Sequence, residues 1–87
     1  MPNDEPLKIL LVDDEPLARS RLRELLADIA VQFATEVVGE ACNGLAALEF
    51  LRAHQVDVVL ADIRMPGMDG IELAGHLGAF EQPPAVI

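Results

Sequence analysis

Apolar and polar positions along this chain fall into short blocks that alternate in type. Leu7-Lys8-Ile9-Leu10-Leu11-Val12 is a nearly unbroken apolar run. It is too short for a helix and has the composition of a strand buried on both faces. Asp13, Asp14 and Glu15 end it, and Pro16 follows. Proline suits the first turn of a helix, and acids ahead of it suit the positive end of the helix dipole. Leu22, Leu25, Leu26 and Ile29 then recur at helical spacing, with Leu17 and Ala18 near the same face, which predicts a helix over 16–29. Arg19, Arg21, Arg23 and Glu24 take the opposite side and read as solvated.

A second strand is predicted over 35–41, where Glu36 and Glu40 leave one side polar, as at a sheet edge. Asn43-Gly44 is a helix-start signal. The helix after it reaches about residue 53, with Leu45, Leu48 and Leu51 as its apolar positions. Val56 to Ala61 predicts a third strand, with Asp57 at its entry as a solvated edge group. A third helix follows over 70–77, with Asp69 as its cap, Gly75 weakening it and Gly78 suited to end it. Pro83-Pro84 break the chain, and Ala85-Val86-Ile87 open a fourth strand. Residues 1–6, with two prolines and two acids, read as a frayed lead-in. Strands alternating with helices predict an α/β fold with a parallel sheet and right-handed crossovers.

At 87 residues the chain holds at most one small domain. Hydrophobic residues make up 52% and aromatics 3%, so a core is intended and must be aliphatic. The net charge of −9 argues against binding nucleic acid or an anionic membrane through this segment. Cys42, the only cysteine, excludes an internal disulfide and a cysteine-based metal framework, and reads as a small buried residue. His54 and His76 lack partners at metal-ligand spacing and read as surface residues. Met65 and Met68 read as loop packing. The acidic opening is unlike a secretory leader, and no apolar stretch is long enough to span a bilayer, so the expected compartment is the cytoplasm.

The chemistry gathers where strands end. In a parallel sheet all carboxyl ends share one edge, and ligands collect outside it. Asp13 and Asp14 leave the first strand there, and Asp62 leaves the third. Three converging carboxylates repel one another, which a hard divalent cation resolves. Mg²⁺ takes oxygen ligands and is commonly held by one or two carboxylates plus a phosphate oxygen. A carboxylate beside such a cation is a sensible phosphoryl acceptor. Asp14 also suits a helix cap, and Glu15 reads as a first-turn helix acid.

Val12-Asp13-Asp14-Glu15-Pro16 and Leu60-Ala61-Asp62-Ile63-Arg64-Met65-Pro66-Gly67-Met68-Asp69-Gly70 together resemble the receiver domain of two-component response regulators. The stretches 14–19 and 62–70 are particularly similar to receivers of the LytTR/alginate-regulator type. The resemblance implies a flavodoxin-like, doubly wound parallel sheet, here running from the first to the fourth strand. Residues 1–87 are read as one partial receiver, its N-terminal portion, with the fourth strand cut off as it begins.

It also implies roles. Asp62 would accept a phosphoryl group from a sensor histidine kinase, and Asp14 and Asp62 would bind Mg²⁺. Asp13 would help through water or a hydrogen bond, and Arg64 would offer its backbone carbonyl to the metal. Receivers meet kinases near their first helix, which gives its arginines a second reading as a docking patch. The Ser or Thr at the end of the family's fourth strand, and the Lys at the end of its fifth, have no counterpart before Ile87. The function implied is phosphoacceptor signalling rather than enzymatic turnover, acting on transcription through an output domain outside this chain. Two other classes stand beside it. One is an interaction or dimerisation fragment without phosphotransfer. The other is a Mg²⁺-dependent hydrolase or transferase, for which no second catalytic motif is present. Apolar surface left by a partial sheet predicts a homo-oligomer or a domain swap.

Overall fold

The computed structural model describes residues 6–30, 32–61, 70–78, 80 and 83–87. The elements run β1 (Leu7–Val12), α1 (Pro16–Asp28), β2 (Thr35–Ala41), α2 (Gly44–Ala53), β3 (Val58–Ala61), α3 (Gly70–Leu77) and β4 (Ala85–Val86). The four strands form one parallel sheet in the order β2-β1-β3-β4. β2 lies at an edge, as its glutamates predict, and β1 lies inside. The sequence places the third strand's start at Val56. The ladder instead starts at Val58, although Val56 is buried.

The apolar run of β1 is explained by its position. Ile9, Leu10, Leu11 and Val12 are all buried, and successive side chains take opposite faces. Leu10, Val12 and Val59 belong to the main core, closed by Ala47, Leu48 and Leu51 of α2 and Leu73 and Leu77 of α3. Ile9 and Leu11 face the other way with their register partners Val58 and Leu60. α1 packs there, against β1 and β2.

Two helix faces differ from their predicted ones. In α1, Ala18, Leu22 and Leu26 are half-buried, whereas Leu17, Leu25 and Ile29, which caps the helix just past its end at Asp28 rather than lying within it, are exposed. The helix rests on the sheet along its 18-22-26 line, and no α1 residue is fully buried. In α2, Leu45 is exposed and Ala47 takes the core position. A small residue there lets the helix approach the sheet closely. Asn43 caps α2 as predicted: its Oδ1 accepts from the Ala46 N–H at 2.7 Å. Asp57 is exposed but not merely solvated. Its Oδ2 accepts from the Lys8 N–H at 2.8 Å while its own N–H donates to the Lys8 carbonyl at 2.9 Å. That pair closes the entry of the β1–β3 ladder.

Arg21 and Glu24 are exposed, as expected of a solvated face, but Arg19 and Arg23 depart from it. Arg19 Nε donates to Glu40 Oε1 at 2.7 Å, and Arg23 Nε to Glu40 Oε2 at 2.5 Å. Residues four apart share a helix face, so both reach one carboxylate on the edge strand. The Arg19 side chain is only 17% exposed. The hydrogen bonds from Arg23 and then Arg19 hold the Glu40 carboxyl below its ordinary range. This clamp ties α1 to β2 where the helix buries little apolar surface.

β2 also carries an irregularity. Ile9 pairs with Val37 and Leu10 with Gly39, so Val38 is an extra residue in the strand. Gly39 lies against the Phe50 ring of α2. A Cβ there would meet Phe50 Cε2 at 2.6 Å and Cζ at 2.7 Å. The ring is backed by His54, stacked at 4.1 Å.

Two outcomes are expected. Gly39→Ala lowers stability by about 1–3 kcal/mol through overpacking, read as a lower urea midpoint, and Phe50→Leu in the same chain recovers part of the loss. Glu40→Gln gives the second. A carboxyl whose folded pKa lies below its unfolded value adds stability that is present above the unfolded value and is lost as pH falls through the folded one. Wild type therefore melts above Glu40→Gln at pH 7, and the gap in melting temperature closes as pH drops through and below the ordinary carboxylate range. Added salt narrows the gap at pH 7, because 30% of the Glu40 side chain remains in water. A gap independent of pH would contradict the clamp's ionic character.

Candidate functional site

The register Val12↔Ala61 brings the ends of β1 and β3 side by side at the carboxyl edge of the sheet. Asp13 and Asp14 follow Val12 directly, and Asp62 follows Ala61 in the chain. Asp62 and Arg64 lie outside the described residues, as do Met65, Pro66, Gly67, Met68 and Asp69.

The loop after β1 is held through Asp13. Its N–H donates to the Ala41 carbonyl at 3.0 Å, which extends the ladder toward β2 by one rung. Its carbonyl accepts from Arg19 Nη1 at 2.6 Å. Its side-chain Oδ1 accepts from the Glu15 N–H at 2.9 Å, the local turn that aspartate readily forms. Asp13 is half-buried, and among the described residues its second carboxylate oxygen has no hydrogen-bond partner.

Asp14 differs. It is exposed, and among the described residues no hydrogen bond engages its carboxylate. It does not cap α1, for the N-cap residue is Glu15, which makes no side-chain capping bond. The cap reading of Asp14 is therefore set aside, and its side chain is left exposed. A group of three acid, histidine or cysteine side chains sized for a metal does not occur among the described residues. The pair from β1 supplies two carboxylates, and the third expected one is Asp62.

Cys42 is exposed, contrary to its expected burial. It falls just after β2 ends at Ala41, in the turn before α2, rather than inside the strand. His54 and His76 are exposed, as expected. A pocket of about 320 Å³ opens at the opposite edge of the sheet, between Leu51, His54, Val56, Phe80 and Pro84. It shares no residue with the acidic loop. Reading the sequence missed Arg19 and Glu40 as site neighbours. The available signal was an Arg-x-x-x-Arg spacing on the first helix facing an acid near the end of the edge strand.

Residues 9–87 match the family described as the response regulator receiver domain. The chain is 46% identical over 81 residues to the positive alginate biosynthesis regulatory protein of Pseudomonas aeruginosa, covering 93% of this chain and 32% of that protein. It is 41% identical over 86 residues to the probable transcriptional regulatory protein NarL of Mycobacterium tuberculosis, covering 99% of this chain and 38% of the relative. The chain thus spans about a third of the length of these curated relatives. The solved receiver domain of M. tuberculosis NarL superposes with a TM-score of 0.82 at 41% identity, over 94% of this chain and 64% of that one. The response regulator TrrA of Thermotoga maritima, solved in complex with Mg²⁺-BeF, gives 0.74 at 34% identity, over 92% and 65%. The parallel sheet with its helices agrees with that match, and the chain belongs to the response regulator receiver domain family.

Proposed function

We propose that this chain is the phosphoacceptor module of a two-component response regulator. Asp62 receives the phosphoryl group from a sensor histidine kinase, and the signal passes to transcription through an output domain outside the chain. The observation that carries the reading is the pairing of Val12 with Ala61, which sets the acidic loop after β1 beside the strand that leads into Asp62. Asp14, Asp62 and the Arg64 carbonyl hold Mg²⁺, with Asp13 assisting through its remaining oxygen or a water. Bound there, the cation offsets the negative charge of the phosphoryl group and of the carboxylates around it.

In this reading a carboxylate oxygen of Asp62 attacks phosphorus in line. The bond to the kinase imidazole nitrogen breaks with its electron pair, and an acyl phosphate forms. The module acts once on itself, so it is a signalling domain rather than an enzyme with turnover. Its place of action is the cytoplasm. No helix among the described residues is long and apolar enough to cross a membrane.

A second reading, a self-associating interaction fragment, is favoured by one observation. Leu17 and Leu25 are 72% and 60% exposed. Apolar side chains so exposed favour contact with a second copy.

The test is intact-mass measurement after incubation with acetyl phosphate. The expected outcome is a Mg²⁺-dependent phosphoryl adduct on the wild-type chain that Asp62→Asn lacks and Asp14→Asn strongly reduces. A chain that circular dichroism shows to be folded, yet takes no adduct, would sink the phosphoacceptor reading. Light scattering on the same sample then decides the second: a dimer supports self-association, and a monomer at high concentration removes it.

A further inference from the structure

Asp14 has no hydrogen bond of its own among the described residues to aim its carboxylate, yet a metal ligand needs a defined direction. The direction comes from the residue before it. A peptide unit is planar, so fixing the Asp13 carbonyl fixes the plane that also contains the Asp14 N–H and leads to the Asp14 Cα. Arg19 Nη1 fixes that carbonyl at 2.6 Å. The Asp13 N–H to Ala41, and the Glu15 N–H to Asp13 Oδ1, secure the turn on either side. Arg19 can do this because its guanidinium is itself anchored. Its Nε is held by Glu40 Oε1 at 2.7 Å, and Arg23 pins the other Glu40 oxygen at 2.5 Å. One planar fork therefore spans the edge strand and the acidic loop, bonding two partners in fixed relative geometry.

We propose that Arg19 is a positioning residue for the cation site: clamped by Glu40, it holds the Asp13–Asp14 peptide so that the Asp14 carboxylate faces the metal. The inference rests on the reading of Asp14 as a Mg²⁺ ligand. It runs against plain electrostatics, which makes it decidable. Arg19 is a cation near a cation site, so removing its charge alone would tighten Mg²⁺ binding. Removing a positioning residue weakens it, and groups behind a metal ligand commonly contribute about 10–100-fold in affinity. Lysine keeps the charge but is a point donor without the fork, so it cannot bond Glu40 and the Asp13 carbonyl in the same geometry.

The experiment uses the 87-residue chain. Mg²⁺ affinity is measured by calorimetry for wild type, Arg19→Gln, Arg19→Lys and Arg23→Gln, each checked for folding by circular dichroism. Amide hydrogen exchange at Asp13 and Glu15 is followed by NMR on the same samples without metal. Both Arg19 variants are expected to weaken Mg²⁺ binding about tenfold and to speed exchange at Asp13 and Glu15. Arg23→Gln removes the outer arm of the clamp without touching Asp13, and is expected to weaken Mg²⁺ binding less than either Arg19 variant does. Should Arg19→Gln fail to fold, Arg19→Lys carries the comparison. Unchanged exchange at Asp13 and Glu15 in a folded Arg19 variant overturns the proposal whether or not metal binds. So does unchanged or tighter Mg²⁺ binding, or wild-type affinity in Arg19→Lys. A wild-type chain that binds no Mg²⁺, while its Arg19 variants still loosen these amides, defeats the metal reading and upholds Arg19 as the residue that positions the loop.

Discussion

Burial of β1 on both faces is the constraint from which the rest of this structure follows. A strand with water on neither side must pair along both edges and be covered above and below, because its backbone groups and its alternating side chains all leave solvent. β2 and β3 satisfy the edges. α2 and α3 close one face over Leu10 and Val12, and α1 lies over the other, above Ile9 and Leu11. Once β1 is central and its neighbours parallel, its carboxyl end must open at the same edge as that of β3. The acidic loop is there because the strand that ends in it is the middle of the core.

The two faces are covered by different means. α2 and α3 place Ala47, Leu48, Leu51, Leu73 and Leu77 in the core, so apolar packing holds them. α1 buries no residue fully and leaves Leu17 and Leu25 in water. Beside the half-burial of Ala18, Leu22 and Leu26, it is attached by Arg19 and Arg23 gripping Glu40. Partly exposed ion pairs add modest stability, but they fix orientation well when an arginine fork is held at two points. That orientation reaches the acidic loop through the Asp13 carbonyl. The less well-buried helix is thus also the one bonded to the acidic loop.

Much of the architecture was legible in the chain. The apolar run at 7–12, the mixed strand at 35–41 and the Asn43-Gly44 start each point to one element, and the elements form where those signals place them. The acids at 13–14 and 62 pointed to one sheet edge, and the register of Val12 with Ala61 agrees for the strand ends that precede them. Helix faces were harder to read. Leu17, Leu25 and Leu45 fit an apolar stripe by spacing, yet they lie in water. Spacing gives a stripe its period but not the line along which the helix touches the sheet. Cys42 misled for a related reason: its type favours burial, but it falls one residue past the end of β2.

Local patterning alone determined the order and type of the elements and the parallel sheet they imply, with β1 and β3 ending at one edge. These depend on periodicity, caps and strand ends, which are properties of neighbouring residues. Only the tertiary structure decided what each charge in the first helix touches. Arg19 and Glu40 are 21 residues apart, and no short-range signal distinguishes a solvated arginine from one that grips an edge strand and a loop carbonyl. The tertiary structure also separated Asp13 from Asp14. The two are adjacent and chemically alike, but the turn engages the first through its backbone and side chain, whereas the second is left exposed to water. That division follows from where the strands and α1 meet in space.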